Sequence, residues 1–256
     1  MIEPVYGPVE SWRYGRSLGI DAIGAISTCS FNCVYCQLGE IERPSRQRQE
    51  FVPTAKIIDL ASQQNWAEID TVTLSGSGEP TLANNLGEIL VQLRQLTQLP
   101  LVVLTNGTLL HLPEVRSSLQ LATEVSVKLD GATPGGLMRI SRPSFDFDWE
   151  EFSQGIGEFR SCYQGRLTLQ TMVTAPWSAT EQAAYITHLQ RWLPDAVYLN
   201  RPSRPKPRHR LLQGRENLED APDALWFKPV ALADLSDFAE TIHQQTAVKV
   251  FLPASR

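Results

Sequence analysis

An α/β fold built on a parallel sheet is what this chain predicts, and three observations carry the prediction. Short, mostly apolar runs recur at residues 21–27, 71–75, 101–105, 124–129, 166–173 and 196–199. Near-continuous runs of this kind mark strands covered on both faces. Segments of helical period lie between them, so strand and helix alternate six times over short connections, the rhythm of right-handed βα units. At 256 residues, 42% apolar and 20% charged, the chain suits one large domain. Periodicity alone fits an open doubly wound sheet and a curled six-unit barrel equally well.

Residues 21–27 are read as the first buried strand, its carboxyl end presenting a cysteine-rich loop. A helix over 54–64 follows, with Thr54 as its cap, then the strand 71–75. The next helix, 85–96, places Leu86, Ile89, Leu90 and Leu93 on one face. Strand 101–105, helix 113–121, strand 124–129, helix 149–160 and strand 166–173 continue the alternation. Helix 179–192, capped by Ser178 or Thr180, leads to the sixth strand, 196–199. Beyond residue 200 the pattern changes to a Pro- and Arg-rich loop, a helix over 232–245 and a strand over 248–252. The expected division is a core over 1–205 with its N-terminal lead-in, and an extension over 206–256 packed on the same domain. There is no internal repeat beyond the βα rhythm.

A net charge of −5 gives no general attraction to nucleic acid. Yet Arg201, Arg204, Lys206, Arg208, Arg210 and Arg215 follow one another with no acid between them. No run approaches the roughly 18–20 apolar residues of a membrane span, and the N-terminus lacks the pattern of a signal peptide. A cytoplasmic chain without membrane partners is therefore expected. In that reducing setting closely spaced cysteines act as ligands more readily than as disulfide partners. Cys162, alone in sequence, is read as a buried small apolar residue.

The chemistry gathers at strand ends, where parallel βα folds place it. Cys29, Cys33 and Cys36 form a C-x3-C-x2-C run. Three thiolates fit an iron–sulfur cube whose fourth iron stays open; a structural zinc site is the alternative, and it wants a fourth ligand. The second strand leads into Gly76-Ser77-Gly78-Glu79-Pro80, where glycines let backbone approach a ligand and Glu79 offers an acceptor for an ammonium. Asn106 follows the third strand and Asp130 the fourth, each followed by glycine; both also suit plain turns. Lys128 shares a strand face with Ser126, and a lysine inside a barrel needs a partner such as Asp130 or Glu79, unless it snorkels at the strand end.

The cysteine run, with Tyr35 before its last cysteine, and the Gly76 to Pro80 loop together resemble the signature of the radical S-adenosylmethionine (radical SAM) superfamily. The resemblance implies a partial (β/α)6 TIM-like barrel with the cysteine loop after its first strand. It implies one 4Fe-4S cluster on Cys29, Cys33 and Cys36, and S-adenosyl-L-methionine (SAM) chelated to the open iron. It also implies an electron from a reductase or a flavodoxin- or ferredoxin-type donor, and hydrogen abstraction by a 5′-deoxyadenosyl radical. Tyr35, Gly76, Ser77, Gly78, Glu79, Pro80, Asn106 and Asp130 are then the cofactor-binding candidates and Lys128 the catalytic one. Ser77 stands where the family usually has a second glycine.

Residues 6–19 and 28–39 look like a subgroup of single-domain iron–sulfur oxidoreductases related to the tRNA 4-demethylwyosine synthases. This chain has no cysteine before Cys29, so the second cluster of those synthases does not carry over. The resemblance makes a tRNA base the expected substrate, with Arg201, Arg204, Lys206 and Arg208 gripping phosphates. Arg139 and Arg142 would extend that patch, and Trp12, Tyr14 and Trp177 are candidate stacking platforms. The competing readings are a protein-modifying or activating radical SAM enzyme, and a non-catalytic metal or iron–sulfur protein.

Overall fold

The computed structural model describes residues 3–216 and 223–254. In chain order they form β1 (Val5–Ser11), β2 (Gly15–Ile20), the two-residue strands β3 (Thr28–Cys29) and β4 (Arg43–Pro44), α1 (Thr54–Ser62) and β5 (Thr71–Leu74). The chain continues through α2 (Leu86–Leu96), β6 (Leu101–Thr105), α3 (Pro113–Leu119), β7 (Glu124–Lys128), α4 (Pro134–Ser141) and α5 (Trp149–Cys162). It ends with β8 (Arg166–Met172), α6 (Ala179–Trp192), β9 (Ala196–Asn200), the short β10 (Lys206–Pro207) and β11 (Ala224–Leu225), α7 (Leu232–Thr246) and β12 (Lys249–Phe251).

One eight-stranded sheet runs β1-β2-β5-β6-β7-β8-β9-β12. Every pair is parallel except β1 with β2, and the sheet curls into a partial barrel. Consecutive βα units step round the sheet in order, which carries all the strand ends that follow β2 to one rim. Side chains alternate across each strand. Val72, Leu74, Val125, Val127, Leu167, Leu169, Val197 and Leu199 join the core against the helices. The other set, including Thr73, Lys128, Gln170 and Asn200, lines a cavity on the concave side. No helix among the described residues is long and apolar enough to cross a membrane.

Six of the seven expected strands and all six expected helices form within a few residues of their expected bounds. The exception is residues 21–27, which form a loop; the first parallel strand is β2, immediately upstream. Asp21 causes the break, because its Oδ1 accepts from the amides of Ile23 and Gly24, both at 3.0 Å. That side-chain turn competes with strand pairing, and Gly24 completes it at φ +83°. Besides β2 and the two-residue strands, two elements were not expected. One is the antiparallel edge strand β1; the other is α4, opened by Thr133, whose hydroxyl accepts from Gly136 N.

Thr54 lies inside α1 rather than capping it: Pro53 is the cap residue and the Thr54 hydroxyl donates to Glu88. Cys162 is exposed at the end of α5, not buried. Leu86, Ile89, Leu90 and Leu93 are fully buried along α2, as their spacing predicts. Ser178 caps α6 in a reciprocal box with Glu181. Ser178→Ala is therefore expected to lower stability by about 1 kcal/mol, read as a fall of about 2–4 °C in Tm. Thr180→Ala, at an exposed position beyond the cap, is expected to leave Tm unchanged in the same thermal melt.

Candidate functional site

The rim of the partial barrel surrounds a cavity of about 370 Å³, and Cys29, Cys33 and Cys36 all line it. None forms a disulfide. Two successive turns hold the loop, Cys36 N donating to Cys33 O and Gly39 N to Cys36 O, each at 3.1 Å. Burial pushes the Cys33 thiol up to about 12 and raises Cys29 and Cys36 as well, so positive metal charge is what this environment lacks for thiolates. Donors already point at sulfur: Phe31 N lies 3.4 Å and Asn106 Nδ2 3.6 Å from Cys29 Sγ. Such contacts tune the potential of a cluster thiolate. No group of three or more His, Cys, Asp and Glu among the described residues could hold a metal ion as a compact set. A cube gives each cysteine a different iron, and three free, partly or fully buried thiols around one cavity fit that arrangement.

Backbone pairing joins the cysteine loop to the glycine loop. Thr28 N donates to Ser77 O and Glu79 N to Thr28 O, both at 3.0 Å. A Cβ at position 78 would overlap the Thr28 carbonyl oxygen, so only glycine allows the approach. Gly76, Gly78 and Glu79 line the cavity. Ser77 is fully buried and accepts from Arg210 Nη2 at 3.2 Å; Pro80 opens a short 3-10 turn. Glu79 is already satisfied by the chain. Its Oε1 accepts from Thr81 N, Thr81 Oγ1 and Thr105 Oγ1, and its Oε2 from Asn106 N at 2.7 Å. Burial outweighs these bonds and leaves its carboxyl above the usual value. Asn106 likewise donates to Ser30 Oγ at 2.8 Å and accepts twice from Thr108. The Glu79 carboxylate thus ties the glycine loop to the end of β6, and Asn106 ties that strand end to the cysteine loop.

A second anchor comes from α4. The loop amides Asn32 N and Val34 N donate to Ser141 O, Arg142 O and Ile140 O at 2.9–3.1 Å, satisfying carbonyls that a helix end leaves open.

Lys128, Tyr35 and Asp130 form one cluster. Lys128 Nζ contacts the Tyr35 hydroxyl, stands 3.4 Å from Asp130 Oδ2 and lies 4.5 Å from the Tyr35 ring centroid. The Tyr35 hydroxyl donates to Asp130, whose other oxygen accepts from Met172 N at 2.8 Å. Burial works against the Lys128 ammonium, but the facing Asp130 carboxylate raises it well above its ordinary value; burial and Asp130 raise Tyr35. The cluster is thus an ammonium, a phenol and a carboxylate at the cavity wall.

The basic segment divides. Arg201 and Arg204 line the cavity, with Arg201 Nη1 donating to Val230 O. Lys206 corrects the phosphate-contact expectation: it is 3% exposed and pairs with Glu40 at 2.9 Å. Arg208 pairs with Asp223 at the surface, Arg210 with Glu42, and Arg215 with Asp21 in a buried pair at 2.8 Å. Leu211 N donates to Leu38 O, so residues 206–215 strap the far side of the cysteine loop. Arg139 pairs with Glu181, and Arg142 terminates α4 at φ 47°. Of the candidate stacking platforms, Tyr14 is buried on Glu124, Trp177 packs on Tyr185 and Phe238, and Trp12 is 42% exposed. Arg13, which also lines the cavity, escaped the sequence reading because only its place beneath the lumen distinguishes it.

Residues 25–173 match the family model of the radical SAM superfamily. A UPF0026 protein of Synechocystis sp. is 56% identical over 219 residues, 85% of this chain and 82% of its own length. A UPF0026 protein of Methanocaldococcus jannaschii is 34% identical over 206 residues, 78% of this chain and 64% of its own. Among solved structures, anSMEcpe with bound AdoMet is similar at a TM-score of 0.59 and 13% identity, over 91% of this chain and 63% of that one, a likeness of fold.

Gly78→Ala should break the pairing of the two loops, costing about 1–3 kcal/mol as an overpacked site and lowering iron uptake on reconstitution. Gly135→Ala, where a Cβ meets nothing within 4 Å, should leave iron content unchanged. Iron and sulfide analysis beside a thermal melt reads both.

Proposed function

The chain belongs to the radical SAM superfamily, with UPF0026 proteins among its relatives, and on that premise we propose that it carries a 4Fe-4S cluster on Cys29, Cys33 and Cys36, binds SAM along Gly76 to Pro80, and abstracts hydrogen from a substrate held in the barrel lumen. The observation that carries the proposal is the backbone pairing of Thr28 with Ser77 and Glu79, which sets the three thiols and the glycine loop on one cavity. When bound and reduced by a flavodoxin-, ferredoxin- or reductase-type donor, the two cofactors supply one-electron cleavage of the sulfonium to methionine and a 5′-deoxyadenosyl radical.

The residues of the chain position and shield. Backbone groups at 76–79 present donors and acceptors to an amino acid moiety, and Glu79 holds that backbone in place through its four internal bonds. The Lys128 ammonium, paired with Asp130 and held by Tyr35, puts a fixed ion pair on the cavity wall beside the cysteine loop. The strap over residues 37–42 keeps water from that side. Of the four residues expected to grip phosphates, Lys206 and Arg208 are paired within the chain, which weakens the support for a tRNA base, so the proposal stops at hydrogen abstraction.

Anaerobic reconstitution with iron and sulfide, dithionite reduction and addition of SAM should yield 5′-deoxyadenosine and methionine, with an EPR signal that changes on SAM binding. Cys36→Ala should lose cluster and cleavage together. A redox-active cube retained in that variant, or bound zinc in the wild type, would overturn the assignment.

A further inference from the structure

Arg13 sits in the turn between β1 and β2, at the opposite end of β2 from the cysteine loop. Its side chain enters the lumen, where Nη1 donates to Gln170 Oε1 at 2.6 Å. The guanidinium carbon lies 5.2 Å from the Tyr14 ring centroid and 6.0 Å from that of Tyr198. These contacts fix the plane of the group, and none neutralises it. Among the described residues Arg13 makes no ion pair, and its buried Nε has no hydrogen-bond partner. Glu124, the acid on Tyr14, is already engaged by Tyr14, Thr168 and Arg166.

Arg13 as a whole is half-buried, but its Nε is enclosed without a partner, and an enclosed donor of a charged group is unfavourable until something pairs it. What would pair it has defined chemistry. The edge formed by Nε and Nη2 is a planar two-donor fork that matches the two oxygens of a carboxylate or phosphate. Strand register places the fork beneath the reactive end of the cavity: Gln170 pairs across the sheet with Lys128, and Lys128 reaches Tyr35 in the cysteine loop.

We propose that Arg13 is a specificity-determining residue that receives an oxyanion of the substrate at the floor of the lumen, leaving the rest of the molecule to point at the cysteine loop. The proposal rests on the lumen being the reaction chamber. It makes the substrate a small carboxylate or a phosphorylated compound, with the anion at one end and the reacting C–H at the other.

Isothermal titration calorimetry on the reconstituted full chain, without SAM or reductant, tests it with acetate and inorganic phosphate as probes. Saturable binding is expected. Arg13→Gln should weaken it about tenfold to a hundredfold, the loss of a charge-assisted bond, and Arg13→Lys should weaken it less, because lysine keeps the charge but not the fork. Binding of acetate alone makes the substrate a carboxylate, and binding of phosphate alone makes it a phosphorylated compound. Absence of binding by either probe, or equal affinity in wild type and Arg13→Gln, overturns the proposal. Should Arg13→Gln lose its far-UV circular dichroism, equal affinity in wild type and Arg13→Lys overturns it instead. Because no SAM is present, failure here leaves the cluster assignment standing, and failure to cleave SAM leaves the anion site standing.

Discussion

Thr28 pairs its backbone with Ser77 and Glu79, and the site depends on that contact more than on any side chain. It joins the loop that follows β2 to the loop that follows β5, and only the missing side chain at Gly78 lets the two main chains come so close. Glu79 then extends the connection to β6 through Thr105 and Asn106, and Asn106 returns it to the cysteine loop at Ser30 and Cys29. A closed ring of main-chain and buried polar contacts thus joins the loops that follow β2, β5 and β6. The sheet fixes where the strand ends lie, and this ring fixes how their loops meet.

Charge is handled with the same economy. Lys128 faces Asp130, Arg215 faces Asp21, and Glu79 is surrounded by neutral donors. Buried ionic groups are tolerated when paired and hydrogen-bonded, and most charges near the cavity follow that rule. Arg13 departs from it, which is why it stands out as a position turned toward something outside the chain.

The strands 101–105 and 124–129 were legible because parallel sheets leave apolar runs with clear ends, and the helix over 85–96 because its leucines and isoleucine share one face. The cysteine triplet and the glycine loop were legible because their chemistry is local in sequence. Residues 21–27 misled because hydrophobicity does not register a side chain that captures two backbone amides, as Asp21 does. α4 was hidden by Gly135 and Gly136, poor helix formers whose place is set by Thr133 and by the cysteine loop docking on the helix end. The basic segment read as a free phosphate grip because its acids, Glu40 and Glu42, lie 166 and 168 residues upstream of their partners. Local sequence carries no trace of such a pairing.

That separation also orders events during synthesis. The cysteine loop and the first three βα units leave the ribosome long before Lys206 and Arg210 do. A growing chain therefore exposes its thiols before the strap that packs on the far side of their loop has been made. The topology thus ties enclosure of the cysteine loop to a distant segment: one side of that loop stays uncovered until residues 206–215 have been made.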